Sequence, residues 1–152
     1  MDETTFSTMR TLDWEHQYEI GETPWEKGGP SPPLLEWLED NPDTLSGRVL
    51  VPGCGLGHDV RAIAATNSEL ELVGLDISSS AIATAEDFSK VSSEVYRQAD
   101  LFALETAEIG SFDSVFEHTC FCAIDPARRD EYVKAVSGLL KAEGSLLGVF
   151  FL

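Results

Sequence analysis

Leu50-Val51 runs into Pro52-Gly53-Cys54-Gly55-Leu56-Gly57-His58-Asp59: an apolar strand, then glycines at alternate positions, then a helical pattern. Glycine lets a backbone turn tightly and approach a ligand where any Cβ would clash, and the start of the following helix offers unpaired N–H groups. The layout suits a nucleotide-like cofactor held beyond the end of a strand. Spacing narrows the choice. The dinucleotide fingerprint G-x-G-x-x-G needs glycine where this chain has His58, which disfavours a nicotinamide oxidoreductase, and no Gly-Lys-Ser/Thr follows to make a Walker loop. A structural strand-to-helix turn can be glycine-rich as well, so the loop alone leaves its ligand open.

Downstream of Arg48, short apolar runs alternate with helical patterns. Strands are expected at 49–51, at 70–75 ending at Asp76, at 94–98, at 112–117 and at 145–152. Helices are expected over 59–66, from the N-cap chemistry of Ser78 to Ser80 through Ile82, Ala85 and Phe88, and from the Asp125-Pro126 turn onward. The last of these carries Tyr132, Val133, Val136, Leu139 and Leu140 at helical spacing, with Gly144 expected to close it. Repeated units of this kind predict an α/β fold: about five parallel strands joined by right-handed crossovers, with helices on both faces. Ligands of such sheets bind at the carboxyl ends of the strands. The one break in composition, Gly28-Gly29-Pro30-Ser31-Pro32-Pro33, divides an N-terminal arm, residues 1–33, from a sheet domain, residues 34–152.

Composition excludes several partners. Twenty-seven acidic against ten basic residues give a formal charge of −17, which repels a phosphate backbone and argues against nucleic acid. No apolar run approaches the roughly 18 residues of a membrane span, so no membrane partner is expected and the reading is cytoplasmic. Cys54, Cys120 and Cys122 form neither an even set nor a C-x-x-C pair; reduced thiols, no disulfide framework and no metal site are expected.

The residues that could carry chemistry lie at strand ends. Asp76 ends the second strand about twenty residues beyond the glycine loop, where a carboxylate accepts ribose hydroxyls or serves simply as a helix N-terminal acid favoured by the dipole. Asp100 ends the third, with Leu101 and Phe102 beside it to line an adenine ring. His118 ends the fourth, where it lines the cofactor, acts on substrate or serves as a structural group. In the arm, Trp14 and Tyr18 share a helical face and Trp25 follows; aromatic faces attract a cation such as a sulfonium and exclude water from it. Packing the arm onto the sheet is the plainer use of the same rings.

These segments together, Trp14…Tyr18…Gly21-Glu22-Thr23-Pro24-Trp25…Gly28-Gly29-Pro30, Val51-Pro52-Gly53-Cys54-Gly55-Leu56-Gly57-His58-Asp59, Gly74-Leu75-Asp76-Ile77-Ser78 and Glu117-His118-Thr119-Cys120-Phe121-Cys122-Ala123-Ile124-Asp125-Pro126, resemble the thiopurine methyltransferase superfamily, and within it the thiol and halide methyltransferases. The resemblance covers nearly the whole chain. It implies a Rossmann-like class I methyltransferase fold, S-adenosylmethionine as cofactor and S-adenosylhomocysteine as product. It assigns cofactor contacts to Trp14, Tyr18, Trp25, Gly53, Gly55, Asp76, Ile77, Asp100, Leu101, Phe102 and His118. Arg129 and Tyr132 match an arginine and an aromatic residue that follow the Asp-Pro turn; in the thiopurine branch that arginine faces the substrate, so Arg129 and His118 are the candidates on the substrate side. The reaction implied is an in-line displacement on a sulfonium methyl by a small soft nucleophile: a thiol, hydrosulfide, halide or thiopurine. An anionic acceptor needs no base, and for a neutral thiol His118 is the first base to test.

Class I methyltransferases usually carry two further strands beside the fifth. In a chain ending at Leu152 that C-terminal hairpin is missing, and the fifth strand is expected to leave an apolar edge, which natural proteins rarely tolerate. Three readings stand: a fragment, which is favoured; a homodimer through that edge; or a shortened module that binds S-adenosylmethionine or S-adenosylhomocysteine without turnover.

Overall fold

The computed structural model describes residues 13–104 and 109–150; residues 1–12 of the expected arm and Phe151 and Leu152 of the expected fifth strand lie outside them. Two helices precede the sheet, α1 (Trp14–Ile20) and α2 (Pro32–Asp40). Then follow β1 (Arg48–Pro52), α3 (His58–Ala64), β2 (Glu71–Asp76), α4 (Ser79–Asp87), β3 (Val95–Gln98), β4 (Phe112–His118), α5 (Arg129–Leu139) and β5 (Leu140–Val149). All neighbouring strands pair in parallel in the order β3-β2-β1-β4-β5, so every carboxyl end points the same way. The order reverses between β1 and β4, and that switch point opens a crevice beside the glycine loop.

Alternation along the central strands builds two cores. Val49 and Val51 of β1, Leu72 of β2 and Phe116 of β4 pack with Leu34 and Leu38 of α2 and Val60, Ile63 and Ala64 of α3. The alternate residues Leu50, Val73, Leu75 and Val115 pack on the other face with Tyr132, Val136 and Leu139 of α5. Helices thus cover both faces of the sheet, as the sequence pattern implies. No helix among the described residues is long and apolar enough to cross a membrane.

The last helix and strand depart from expectation. Pro126–Arg128 form a 3-10 turn capped by the Asp125 carboxylate, which accepts the Ala127 N–H at 2.9 Å, and α5 begins only at Arg129. Its end is Leu139 rather than Gly144. Leu140 is already extended and pairs with Phe112, while the Gly138 carbonyl accepts the Gly110 N–H at 2.7 Å. Gly144 instead sits within β5, in the irregular stretch between the Phe112/Leu140 and Ser114/Ser145 pairs. Strand pairing captures the chain as soon as Leu139 is buried, and Gly138 weakens the final helical turn. Val133, which fits the apolar spacing of α5, is 57% exposed, whereas Tyr132 and Val136 on its flanks are buried.

Phe116 is fully buried between sheet and helices. Phe116→Ala should lower the unfolding free energy by about 3–5 kcal/mol in a urea titration, and Val133→Ala should change it by less than about 0.5 kcal/mol.

Candidate functional site

Gly53, Gly55 and Gly57 take φ values of 60°, 54° and 80°, the left-handed region that side chains disfavour. Close approach adds a second constraint at all three, most tightly at Gly57, where a Cβ would lie 2.6 Å from the Tyr96 ring. A Cβ at Gly53 would lie 2.9 Å from Cβ of Cys120 in the loop after β4, and one at Gly55 would lie 3.0 Å from the Tyr18 hydroxyl. The loop is stitched to β2, because the Cys54 N–H donates to the Leu75 carbonyl at 3.0 Å and the Gly55 N–H to Oδ2 of Asp76 at 2.9 Å.

Asp76 is 8% exposed and terminates β2. Its Oδ1 accepts the Ser78 N–H at 3.0 Å. Burial pushes its carboxyl above the ordinary value of 3.8, and the N–H groups of Ser78 and Gly55 pull the other way. An ionised carboxylate offers about four lone-pair directions, so these bonds leave acceptor capacity for hydroxyl groups. Ile77, next to it, is half exposed and its carbonyl accepts from Nε2 of Gln98 at 2.9 Å.

Beyond β3 the chain returns to the same place. The Ala99 N–H donates to the Asp76 carbonyl at 3.0 Å, and Oδ1 of Asp100 accepts the Phe102 N–H at 2.9 Å, closing a 3-10 turn over Leu101–Ala103. Leu101 and Phe102 are partly buried against the second core, and the Arg128 guanidinium lies 4.0 Å from the Phe102 ring centre.

The end of β4 is organised by a residue whose role the sequence did not announce. Glu117 is 1% exposed, and its carboxylate accepts the Cys120 N–H at 3.1 Å, the Phe121 N–H at 2.9 Å and the Tyr132 hydroxyl at 2.6 Å. Burial pushes both the Glu117 carboxyl and the Tyr132 phenol up. Those bonds hold Thr119 at φ 65°, a conformation costing a β-branched residue about 1–3 kcal/mol. No sequence pattern marks a threonine for that region.

His118 faces Asp59. Its Nδ1 is 3.0 Å from Oδ2 of Asp59, whose Oδ1 accepts the Ser31 N–H at 2.8 Å. Asp59 therefore joins the end of β4, the first turn of α3 and the start of α2. Its sequence signal is weak: an acid in the first turn of a helix is ordinarily read as a dipole effect. Arg129 lies over Phe121, 5.0 Å from the ring centre, and among the described contacts none joins it to the glycine loop.

From the arm, Trp14, Tyr18 and Trp25 form one cluster. Trp14 and Trp25 meet edge to face at 5.2 Å, Tyr18 and Trp25 at 5.6 Å, and the Trp25 indole N–H donates to the Tyr18 hydroxyl at 2.9 Å. Burial raises the Tyr18 phenol well above its ordinary value and the Asp76 charge adds to this, so it stays neutral. The structure thus gathers Trp14, Tyr18, Trp25, Gly53, Gly55, Asp76 and the 99–102 turn at the carboxyl ends of β1 to β3, with His118 across the switch point. A separate cleft of about 470 Å³ lies at the opposite end of the sheet, lined by Asp113, Lys141 and Glu143 among others. There Asp113 accepts the Arg48 N–H at 2.8 Å and pairs with Lys141 at 3.1 Å, which makes it a strut between strands.

Known proteins share this architecture. A solved Burkholderia thailandensis 1,6-didemethyltoxoflavin-N1-methyltransferase holding S-adenosylhomocysteine superposes with a TM-score of 0.67 over 95% of this chain and 62% of its own, at 16% identity, a likeness of fold alone. A protein solved in work on the conversion of a disulfide bond into a thioacetal group during echinomycin biosynthesis gives a TM-score of 0.69 at 27% identity, over 84% of this chain and 54% of its own. "Probable thiol methyltransferase 2" of Arabidopsis thaliana is 38% identical over 142 residues, covering 91% of this chain and 61% of that protein. "Thiocyanate methyltransferase 1" of Brassica oleracea is 39% identical over 148 residues, covering 95% and 63%. The chain spans less than two thirds of the length of these curated relatives. The family model described as thiopurine S-methyltransferase matches residues 9–151, nearly the whole length, and the chain accordingly belongs to the thiopurine S-methyltransferase family.

Proposed function

We propose that this chain binds S-adenosylmethionine at the carboxyl ends of β1, β2 and β3 and serves a methyl transfer to a small soft nucleophile such as a thiol, hydrosulfide, halide or thiopurine. The observation that carries the reading is the buried Asp76 carboxylate, fastened to the glycine loop at Gly55, beside which the Tyr18 hydroxyl lies. The residues fit such a group. Asp76 keeps acceptor capacity for two ribose hydroxyls, Ile77, Leu101 and Phe102 offer apolar contact to a purine, and Asp100 stands beside them to accept from its amino group. Gly53 and Gly55 let backbone approach the amino-acid end. The cofactor supplies an electrophilic methyl carbon on a cationic sulfur.

The chain's own part is alignment and exclusion of water. Trp14, Tyr18 and Trp25 form an aromatic wall that favours a sulfonium over the neutral thioether left after transfer. An acceptor that arrives as an anion needs no proton removed. For a neutral thiol, His118 is the base on the substrate side: its Nδ1 is oriented by Asp59, as a base should be held by a third group. Arg129 is assigned to the acceptor side as an anion-attracting charge. At the β5 edge, Leu146 is 45% and Phe150 52% exposed, which supports a homodimer through that edge.

Calorimetry tests the first step. The chain should bind S-adenosylhomocysteine, and Asp76→Asn should weaken that binding about 10–100-fold, the worth of hydrogen bonds to a charged acceptor. Failure to bind either form of the cofactor at millimolar concentration would overturn the reading. The pH dependence follows from the raised carboxyl of Asp76. Stability lost by burying its charge is absent below the unfolded value of 3.8 and grows as pH rises through the folded value, whereas ribose binding needs the charged form. Affinity should therefore fall on acidification, beginning above pH 3.8. Methyl transfer to iodide should fall by less than about threefold in His118→Gln, while transfer to a neutral alkyl thiol should fall about 100-fold or more, as for loss of a general base. Equal losses for both acceptors would remove His118 from that role.

A further inference from the structure

A seven-residue helix with no fully buried residue does not hold itself in place. Yet α1 carries Trp14 and Tyr18, whose positions over the glycine loop the proposed cofactor site requires. What fixes α1 is a side chain that takes no part in the aromatic cluster. Glu15 reaches the start of α4, 63 to 65 residues away in sequence, and accepts from three consecutive serines. Its Oε2 takes the Ser78 hydroxyl at 2.9 Å, its Oε1 the Ser79 hydroxyl at 3.2 Å, and the Ser80 N–H lies 3.0 and 3.1 Å from the two oxygens. The Ser80 hydroxyl also donates to Oε1.

We propose that Glu15 is a positioning residue for the cofactor sulfonium, locking α1 onto the first turn of α4 so that the aromatic cluster stays over the glycine loop. The inference rests on the reading that this loop holds S-adenosylmethionine. Its geometry forms a closed circuit. Ser78 donates its hydroxyl to Glu15 and its N–H to Asp76; Asp76 takes the Gly55 N–H; the Tyr18 hydroxyl sits on Gly55; and Tyr18 lies one helical turn from Glu15 on α1. The ribose acid and the helix that carries the aromatic wall are therefore joined through Ser78, which bonds both carboxylates, with Ser79 and Ser80 adding to the hold on Glu15. Elsewhere in the arm, Oε1 of Glu26 lies 2.8 Å from Nε2 of His58 at the start of α3.

The charge state favours the lock. The Ser80 hydroxyl and N–H hold the Glu15 carboxyl down at about 2, and the positive end of α4 adds to their effect. A carboxyl depressed from 4.5 contributes above that value and loses its contribution as pH falls towards 2, so the lock is complete at neutral pH.

Glu15→Asp tests this, since it keeps the charge that attracts a cation and shortens only the reach; Ser80→Ala, which leaves the Ser78 cap in place, is the second variant if the first fails to fold. Two readouts are compared with the unaltered 152-residue chain: amide hydrogen exchange over residues 14–20 without ligand, and calorimetric affinity for S-adenosylmethionine and for S-adenosylhomocysteine. Exchange over 14–20 should quicken. Affinity for the sulfonium should fall about tenfold and that for the neutral thioether less than about threefold, because the lost aromatic face is felt by the cation. A purely structural role for Glu15 would lower both affinities together, and an unchanged ratio or unchanged exchange in both variants overturns the proposal. If the unaltered chain binds neither compound, the cofactor reading fails and takes the sulfonium role with it. In that case faster exchange in Glu15→Asp still identifies the lock.

Discussion

The carboxylate of Asp76 is the joint on which this end of the molecule turns. It sits at the last residue of β2, nearly buried, and burial raises the cost of its charge. Two backbone N–H groups offset that cost, one from the glycine loop after β1 and one from Ser78 at the start of α4. A strand end, a loop and a helix start are thereby fixed relative to one another by a single side chain. The Ala99 N–H, bonded to the Asp76 carbonyl, brings the loop after β3 to the same point.

A second buried carboxylate does the corresponding work across the switch point. Glu117 closes β4 and takes the N–H groups of the turn that follows, together with the Tyr132 hydroxyl of α5. Its bonds allow Thr119 a conformation it would not otherwise keep, and they bring Cys120 against Gly53. The glycine loop of β1 thus lies between two organised strand ends. Such a crevice is preorganised: its polar groups are oriented before any ligand arrives, which lowers the ordering cost of binding. The arm is different in kind. Few of its side chains are deeply buried, and it is held by carboxylates, Glu15 on the serines of α4 and Glu26 near His58. Bonds of that sort are exchangeable with water.

Much of this was legible in the sequence. Alternating apolar residues at Val49 to Val51 and Leu72 to Leu75 mark strands covered on both faces, and the observed sheet uses them so. The glycine spacing and the position of Asp76 marked the loop and the acid beside it. Ser78 was readable as a cap and does cap α4, through the Ala81 N–H at 3.1 Å. The start of β5 was hidden because Gly138 and Gly144 both look like helix ends, and the choice between them was made by pairing with Phe112. Val133 fits the periodicity of α5 yet lies in solvent, since periodicity marks a face without setting its width.

The chain by itself determined the order of strands and helices, the parallel sheet and the glycines that a close backbone approach demands. These follow from local period and local sterics, which are written in neighbouring residues. Tertiary structure alone decided what the charged groups do. Glu15 finds three serines 63 to 65 residues away, Asp59 meets both Ser31 and His118, and Glu117 joins a strand end to a helix through Tyr132. A hydrogen bond depends on distance and direction in space, and no spacing along the chain encodes which distant donor a carboxylate will reach.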